Sequence, residues 1–155
     1  LYNYTHNYSN FIILTTKGKY AVMAVLDLIE ESQNQDKSTP VSLLSISKRQ
    51  NISLSYLEQI FANLRKSGIV DSIKGPGGGY VLKKPAKDIT VFEIICATGE
   101  TIKMTNCASS QDSCAFAANK DKMKSKCRTH NLWMGLEKNI QNYLNSISLD
   151  EVFKK

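Results

Sequence analysis

At 155 residues the sequence fits one ordinary domain, or a small domain with a helical arm. Hydrophobic residues make up 42% of it, enough for a packed core, which excludes wholesale disorder. A formal net charge of +6 at pH 7 points to a polyanionic partner, and no apolar run approaches the roughly 20 residues that cross a bilayer.

Residues 1–13 are polar at first and lack the basic and apolar regions of a signal peptide, so they read as a flexible leader of a cytoplasmic protein. Thr15-Thr16 can cap a helix from Lys17 to about Glu31, with Ala21, Ala24, Val25, Leu28 and Ile29 on its apolar face. A polar loop, 32–39, follows. Pro40-Val41-Ser42 opens a short helix with Leu43, Leu44 and Ile46 expected inward and Lys48-Arg49 at its end. After a turn at 50–52, Ser53 or Ser55 caps a third helix, and Ser55-Tyr56-Leu57-Glu58 has the pattern of a capping box. Leu57, Ile60, Phe61 and Leu64 recur at helical spacing and predict a buried stripe, with Gly68 as the stop. Ile69 to Lys74 and Tyr80 to Leu82 have strand character, and Gly75-Pro76-Gly77-Gly78-Gly79 reverses the chain between them. The fold class expected is mainly α with a small β-hairpin, a winged helix-turn-helix followed by a long C-terminal helix.

Thr90-Val91-Phe92-Glu93 is a second capping box, starting a short helix to about Ala97, where Cys96 is expected in the core. Met104 to Lys126 has no helical or strand period and reads as a loop, a length that usually signals function or disorder. From Arg128 to about Ser146 helical periodicity returns through Leu132, Leu136, Ile140, Tyr143 and Leu144, and Trp133 and Tyr143 fit a dimer interface better than a ligand site. Ser148 to Glu151 can cap a final turn.

Two constellations carry chemistry. The first is the third helix, whose amino-terminal turn presents Ser53, Ser55, Tyr56 and Gln59 away from the apolar stripe, with Glu58 able to accept from a cytosine amine. Its polar face reads equally as ordinary solvated surface. The glycine-rich turn favours the first alternative, because a loop almost without side chains lets backbone amides approach phosphate closely while Lys74 supplies charge. Arg65 and the other cations at Lys48, Arg49, Lys66, Lys83 and Lys84 surround the same unit in sequence. No Lys-Ser or Lys-Thr follows the glycines, which excludes a nucleotide-binding P-loop.

The second constellation is Cys107-x6-Cys114-x12-Cys127-x2-His130. In a cytosolic chain such thiols serve metal or redox chemistry rather than disulfide frameworks. Three thiolates and one imidazole suit a tetrahedral zinc ion or a [2Fe–2S] cluster, and spacings wider than a zinc knuckle lean toward the cluster. A structural zinc site and a metal-free thiol–disulfide switch stay open beside it. No Ser/His/Asp arrangement or isolated carboxylate pair suggests an enzyme with a small-molecule substrate.

Leu14 to Val22, Ile52 to Phe61, Leu64-Arg65-Lys66 and Lys74-Gly75-Pro76-Gly77-Gly78-Gly79-Tyr80 resemble the IscR-like iron–sulfur cluster regulators, a family of winged-helix transcription regulators. The resemblance runs from about Leu14 to Phe153. It implies a homodimer paired through the helix at 129–145, and a [2Fe–2S] cofactor held by Cys107, Cys114, Cys127 and His130. It also implies double-stranded promoter DNA as partner, and the residues read above as its contacts are Ser53, Ser55, Tyr56, Glu58, Gln59, Arg65, Lys74, Gly75, Pro76 and Gly77. Promoters of iron–sulfur assembly genes are the typical targets, and cluster occupancy selects among them. On this basis the chain divides into the leader at 1–13, a DNA-binding domain at 14–88, a linker helix and cluster loop at 89–127, and a dimerisation helix with its final turn at 128–155. Two differences stand out: the family usually has Arg where Lys74 stands, and the cysteine spacings here are longer than in its archetypal members.

Overall fold

The structure, a computed structural model, describes residues 15–34, 39–103 and 129–154. The leader and the expected loop at 104–126 lie outside the described residues. Among the described residues the elements follow in the order α1 (Thr16–Asn34), α2 (Leu43–Gln50), α3 (Leu54–Lys66), β1 (Val70–Ile73), β2 (Gly79–Leu82), α4 (Val91–Ala97), α5 (His130–Ser146) and α6 (Leu149–Phe153). A 3-10 turn at Ala86–Asp88 links the hairpin to α4. The chain is mostly helical with a two-stranded antiparallel hairpin.

Residues Leu14–Thr101 and Asn142–Lys155 form one compact unit, and a second includes Ile102–Gln141. In the larger unit α1 lies against α2, α3, α4 and the hairpin. Ala21, Ala24, Val25 and Leu28 from α1 and Leu57, Ile60, Phe61 and Leu64 from α3 are buried there together with Ile46, Ile94 and Leu149. Periodicity therefore identified the core faces of α1 and α3. It misplaced two residues. Leu44, expected inward, is 51% exposed, because α2 is short and its buried positions are Leu43 and Ile46. Cys96, expected in the core, is exposed, since α4 turns Ile94 and Ile95 inward instead.

The helix ends follow from local chemistry. Ser42 caps α2, its hydroxyl accepting from the Ser45 amide at 3.2 Å, and Asn51 ends that helix in the left-handed region at φ 53°. Ser53 is the cap position of α3, but its side chain makes no capping bond. Ser55 sits inside the helix, so the capping box expected there does not form. Gly68, at φ 72°, closes α3 as expected: its amide donates to Arg65 and the next amide, of Ile69, to Leu64. The box at Thr90 is complete, with Glu93 N donating to Thr90 Oγ1 at 3.1 Å and Thr90 N to Glu93 Oε2 at 2.9 Å. Ser148 caps α6 as expected.

The hairpin gains a third, one-residue rung. Val41 and Tyr80 exchange both backbone hydrogen bonds, at 3.0 and 2.8 Å, so the residue before the Ser42 cap of α2 pins the wing to the helical unit. Phe61 of α3 meets Tyr80 edge to face, with ring centroids 4.9 Å apart. This pairing explains the glycines differently from sequence reasoning. Gly75 and Gly77 have positive φ, while a Cβ on Gly79 would strike the Val41 carbonyl and stand 2.9 Å from the Ser42 amide nitrogen. A Cβ on Gly78 would meet the Ile73 carbonyl. Each glycine has its own structural reason, so their number alone says nothing about phosphate. Gly79→Ala is expected to lower stability by about 1–3 kcal/mol, the usual cost of overpacking, because backbone rather than a yielding side chain is in the way. Thermal unfolding of the variant checks this, and an unchanged melting temperature would contradict it.

Candidate nucleic-acid interface

The residues singled out on α3 fall on one exposed edge. Ser55, Glu58 and Gln59, spaced at three and four residues, are solvent-exposed, as is Ser53 just before them. Leu57, Ile60 and Leu64 occupy the opposite, fully buried face. Tyr56 differs from its neighbours. It is half-buried, and its ring meets Tyr20 of α1 edge to face at 6.0 Å. Burial raises the pKa of its hydroxyl, and the charge of Glu100 and the nearby Tyr20 raise it further, so Tyr56 meets any partner as a neutral hydroxyl.

The cations divide into two groups. Arg49 is committed to the interior side of α2: its Nε donates to Asp27 Oδ1 at 2.8 Å, and it also pairs with Glu31. Gln50 donates to the other Asp27 oxygen at 3.2 Å. Asp27 is 4% exposed, so this bridge clamps α1 to α2 and withdraws Arg49 from the basic surface that sequence order suggested. Arg65 donates from Nη1 to Ser72 Oγ at 3.0 Å, which ties the end of α3 to β1 while the side chain remains exposed. Lys83 and Lys84 stand 3.9 Å from Asp71 and Glu93, long exposed pairs of little energetic weight. Lys48, Lys66 and Lys74 are exposed and enter none of the ion pairs among the described residues. Lys74 leads directly into Gly75, Pro76 and Gly77, all exposed at the tip of the hairpin. The larger unit thus carries an exposed polar helix edge and an exposed cationic turn, held to one another through Arg65–Ser72 and Phe61–Tyr80.

Sequence reasoning missed the acidic residues that hold this arrangement. Asp27 left a faint signal, a lone carboxylate inside the apolar run of α1 from Ala21 to Ile29. Glu100 left none. Its carboxylate accepts from the amides of Gly18 at 3.0 Å and Thr15 at 3.3 Å, contacts spanning more than eighty residues of sequence.

Of the candidate metal ligands, Cys107, Cys114 and Cys127 lie outside the described residues, and His130 is the first residue of α5. No three His, Cys, Asp or Glu side chains among the described residues converge on a metal position. Cys96 stands apart from that set. Such burial as its sulfur has raises its thiol pKa, which disfavours the thiolate that metals require. No helix among the described residues is long and apolar enough to cross a membrane.

The Rrf2 model, described as an iron-dependent transcriptional regulator, matches residues 14–155. The chain belongs to the Rrf2 family. Among its Rrf2 relatives, the HTH-type transcriptional regulator IscR of Pectobacterium atrosepticum is 47% identical over 139 residues, which cover 90% of this chain and 77% of that protein. The structure of T. potens IscR superposes with a TM-score of 0.67 at 33% identity, covering 91% of this chain and 85% of the other. CymR, the global cysteine regulator of B. subtilis, gives a TM-score of 0.64 at 28% identity over 91% of this chain and 95% of its own. The Rrf2 fold and these relatives are those of DNA-binding transcription regulators, not of enzymes.

Proposed function

We propose that this Rrf2 protein is a homodimeric regulator that reads promoter DNA with α3 and the hairpin turn, and that a [2Fe–2S] cluster tunes which promoters it binds. The observation that carries the DNA-reading part is the exposed edge of Ser53, Ser55, Glu58 and Gln59 beside the Lys74–Gly77 turn. A helix of this size enters the major groove, where Gln59 can bond an adenine edge and Glu58 can accept from cytosine. Lys74, Arg65 and the amides of Gly75 and Gly77 take phosphate or the minor-groove floor, with Pro76 holding the turn stiff. Tyr56 serves as a neutral hydroxyl donor at the edge of the same turn.

The cluster part rests on donor chemistry. Cys107, Cys114 and Cys127 supply thiolates and His130 an imidazole, a set that fits a [2Fe–2S] centre whose mixed ligation raises its potential. When bound, such a cluster supplies one-electron redox chemistry and binds only as fast as iron and sulfide are available. Control of iron–sulfur assembly or iron-related genes is the regulatory role this chemistry suits. A coupling of about 1–3 kcal/mol between cluster and DNA is enough to change promoter choice several-fold or more.

The homodimer rests on α5, which is amphipathic in the wrong sense for a lone chain. Glu137 is 8% exposed and accepts from Gln141 Nε2 at 3.3 Å, while Leu132 is 62% exposed and Trp133 and Leu136 are exposed beside it. At 100° per residue, Leu132, Trp133, Leu136 and Ile140 share one stripe about 100° wide. A second copy of α5 covers such a stripe and places two reading heads on a palindrome.

The test separates contact types. Lys74→Ala is expected to weaken binding to all duplexes and to reduce the slope of log affinity against log salt by about 1. Gln59→Ala is expected to cost about 1–3 kcal/mol on a selected duplex and to relax base preference at one position. Equal losses on selected and random duplexes from both variants would remove α3 from the groove.

A further inference from the structure

The start of α1 and the end of α4 hold each other by reciprocal contacts. The first amides of a helix have no partner within it, and a carboxylate is favoured there by the helix dipole. At α1 that carboxylate is Glu100, bonded to the amides of Gly18 and Thr15, while Thr15 Oγ1 accepts from the Lys17 amide at 3.1 Å. In return, Lys17 Nζ donates to the Thr98 carbonyl at 2.7 Å, just past the last residue of α4. Thr98 is buried, with its hydroxyl on the Ile95 carbonyl at 2.7 Å, and Gly99 turns the chain at φ 84° to deliver Glu100. One turn beyond Thr16 on α1 stands Tyr20, whose ring meets Tyr56 in the first turn of α3. The charge of Glu100 is felt at the Tyr56 hydroxyl.

We propose that Glu100 is a positioning residue for DNA recognition: by closing the amino end of α1 it seats Tyr20 against Tyr56 and so fixes the first turn of α3. The inference rests on α3 being the reading helix, as proposed above. Three observations support it together. The carboxylate bonds two amides at the only end of α1 that carries Tyr20's first turn. The edge contact of Tyr20 is the one aromatic contact among the described residues that reaches the amino-terminal turn of α3. And α3 needs such outside support, because its own cap residue, Ser53, leaves its side chain unbonded to the helix. Glu100 also stands shortly before Cys107 in the sequence.

The test uses the full chain and a duplex that the wild-type protein selects from a random-sequence pool. Glu100→Gln removes the charge but keeps the shape, Glu100→Asp keeps the charge on a shorter arm, and Tyr20→Ala breaks the second link while leaving the cap intact. With 3-fluorotyrosine incorporated, and the Tyr56 resonance assigned by Tyr56→Phe, fluorine NMR reports the Tyr56 environment. Glu100→Gln is expected to lose about tenfold in affinity for the selected duplex, to lose much less on random duplex, and to shift the Tyr56 resonance. Glu100→Asp recovers part of both changes, and in a Tyr20→Ala background Glu100→Gln adds nothing to the loss of selectivity. A lower melting temperature with unchanged selectivity and an unmoved resonance would overturn the proposal, leaving Glu100 as a cap alone. If Glu100→Gln does not fold, Tyr20→Ala decides by the same two readouts. Gln59→Ala measured alongside separates the failures: selectivity lost there but kept in Glu100→Gln and Tyr20→Ala sinks only this inference, whereas selectivity kept in all three sinks the reading of α3 itself.

Discussion

Charging Leu136 and Ile140 together, as Leu136→Glu with Ile140→Glu, is expected to give a monomer that no longer binds a palindromic duplex tightly. The two residues lie one turn apart on the α5 stripe, and Leu136 is 38% exposed in the single chain. In a dimer each change puts a carboxylate against its symmetry mate, so the pair of substitutions buries four like charges around one axis. Burying an unpaired charge costs several kcal/mol, enough to break a helix-pair interface. Because a palindrome is read by two heads at once, loss of the dimer converts one tight event into two weak ones, and affinity falls by about two orders of magnitude or more. Light scattering reads the oligomeric state and a binding titration reads the affinity. The single chain itself should stay folded, since the core of the larger unit contains neither residue. A stable dimer surviving both charges would remove α5 from the interface and leave its exposed leucines and tryptophan without an account.

The fold was legible wherever one periodic pattern had to bury one face. Leu57, Ile60, Phe61 and Leu64 declare α3 because no other conformation places all four together, and Thr90 with Glu93 declares α4 because its cap is built from residues three apart. Legibility failed where a position is decided by a neighbour distant in sequence. Leu44 and Cys96 are apolar residues in short helices, and an eight- or seven-residue helix has too few buried positions to hold every apolar residue it contains. The wing glycines show the same limit from the other side. Their pattern was visible, yet the cause at Gly79 is the carbonyl of Val41, nearly forty residues upstream.

The candidate site was legible in its composition and not in its supports. Ser55, Glu58 and Gln59 were readable as an outer face because they interleave with the buried stripe. Tyr56 was read as one of the same set, yet its ring belongs partly to Tyr20 and the interior. Arg49 was counted with the cations around the helix, while Asp27 holds it at 2.8 Å. A basic residue near a DNA-reading helix in sequence is available to phosphate only if no carboxylate reaches it first, and Asp27, twenty-two residues away, lies beyond any local pattern. Glu100 and Asp27 do the same kind of work at the two ends of α1's buried face. Both are acids that hold elements in register from outside the motif that the eye picks out.

Ala at Cys107, Cys114 or Cys127 is expected to abolish the visible chromophore of anaerobically purified protein, because a lost thiolate opens an iron site to water. Cys96→Ala is expected to leave the colour intact: Cys96 sits on α4, exposed, with a thiol held above its ordinary pKa and therefore protonated near neutrality. His130→Cys keeps a cluster but lowers its potential, since a thiolate adds negative charge where an imidazole stood. The absorption spectrum with iron and sulfide assays measures all of these. DNA binding by the colourless variants should persist on some duplexes, because α1, α2, α3 and the wing are held by Val25, Leu28, Ile46, Phe61 and Leu64 and by the Asp27–Arg49 bridge rather than by a metal. Two outcomes point to the other chemistries that three thiols and a histidine allow: a colourless wild-type protein with one equivalent of zinc makes the site structural, and a thiol count that rises on reduction with no metal bound makes it a disulfide switch. A Cys96→Ala protein that loses its colour while Cys107→Ala retains it would overturn the ligand set itself. It would require α4 to present Cys96 as a thiolate ligand in place of Cys107.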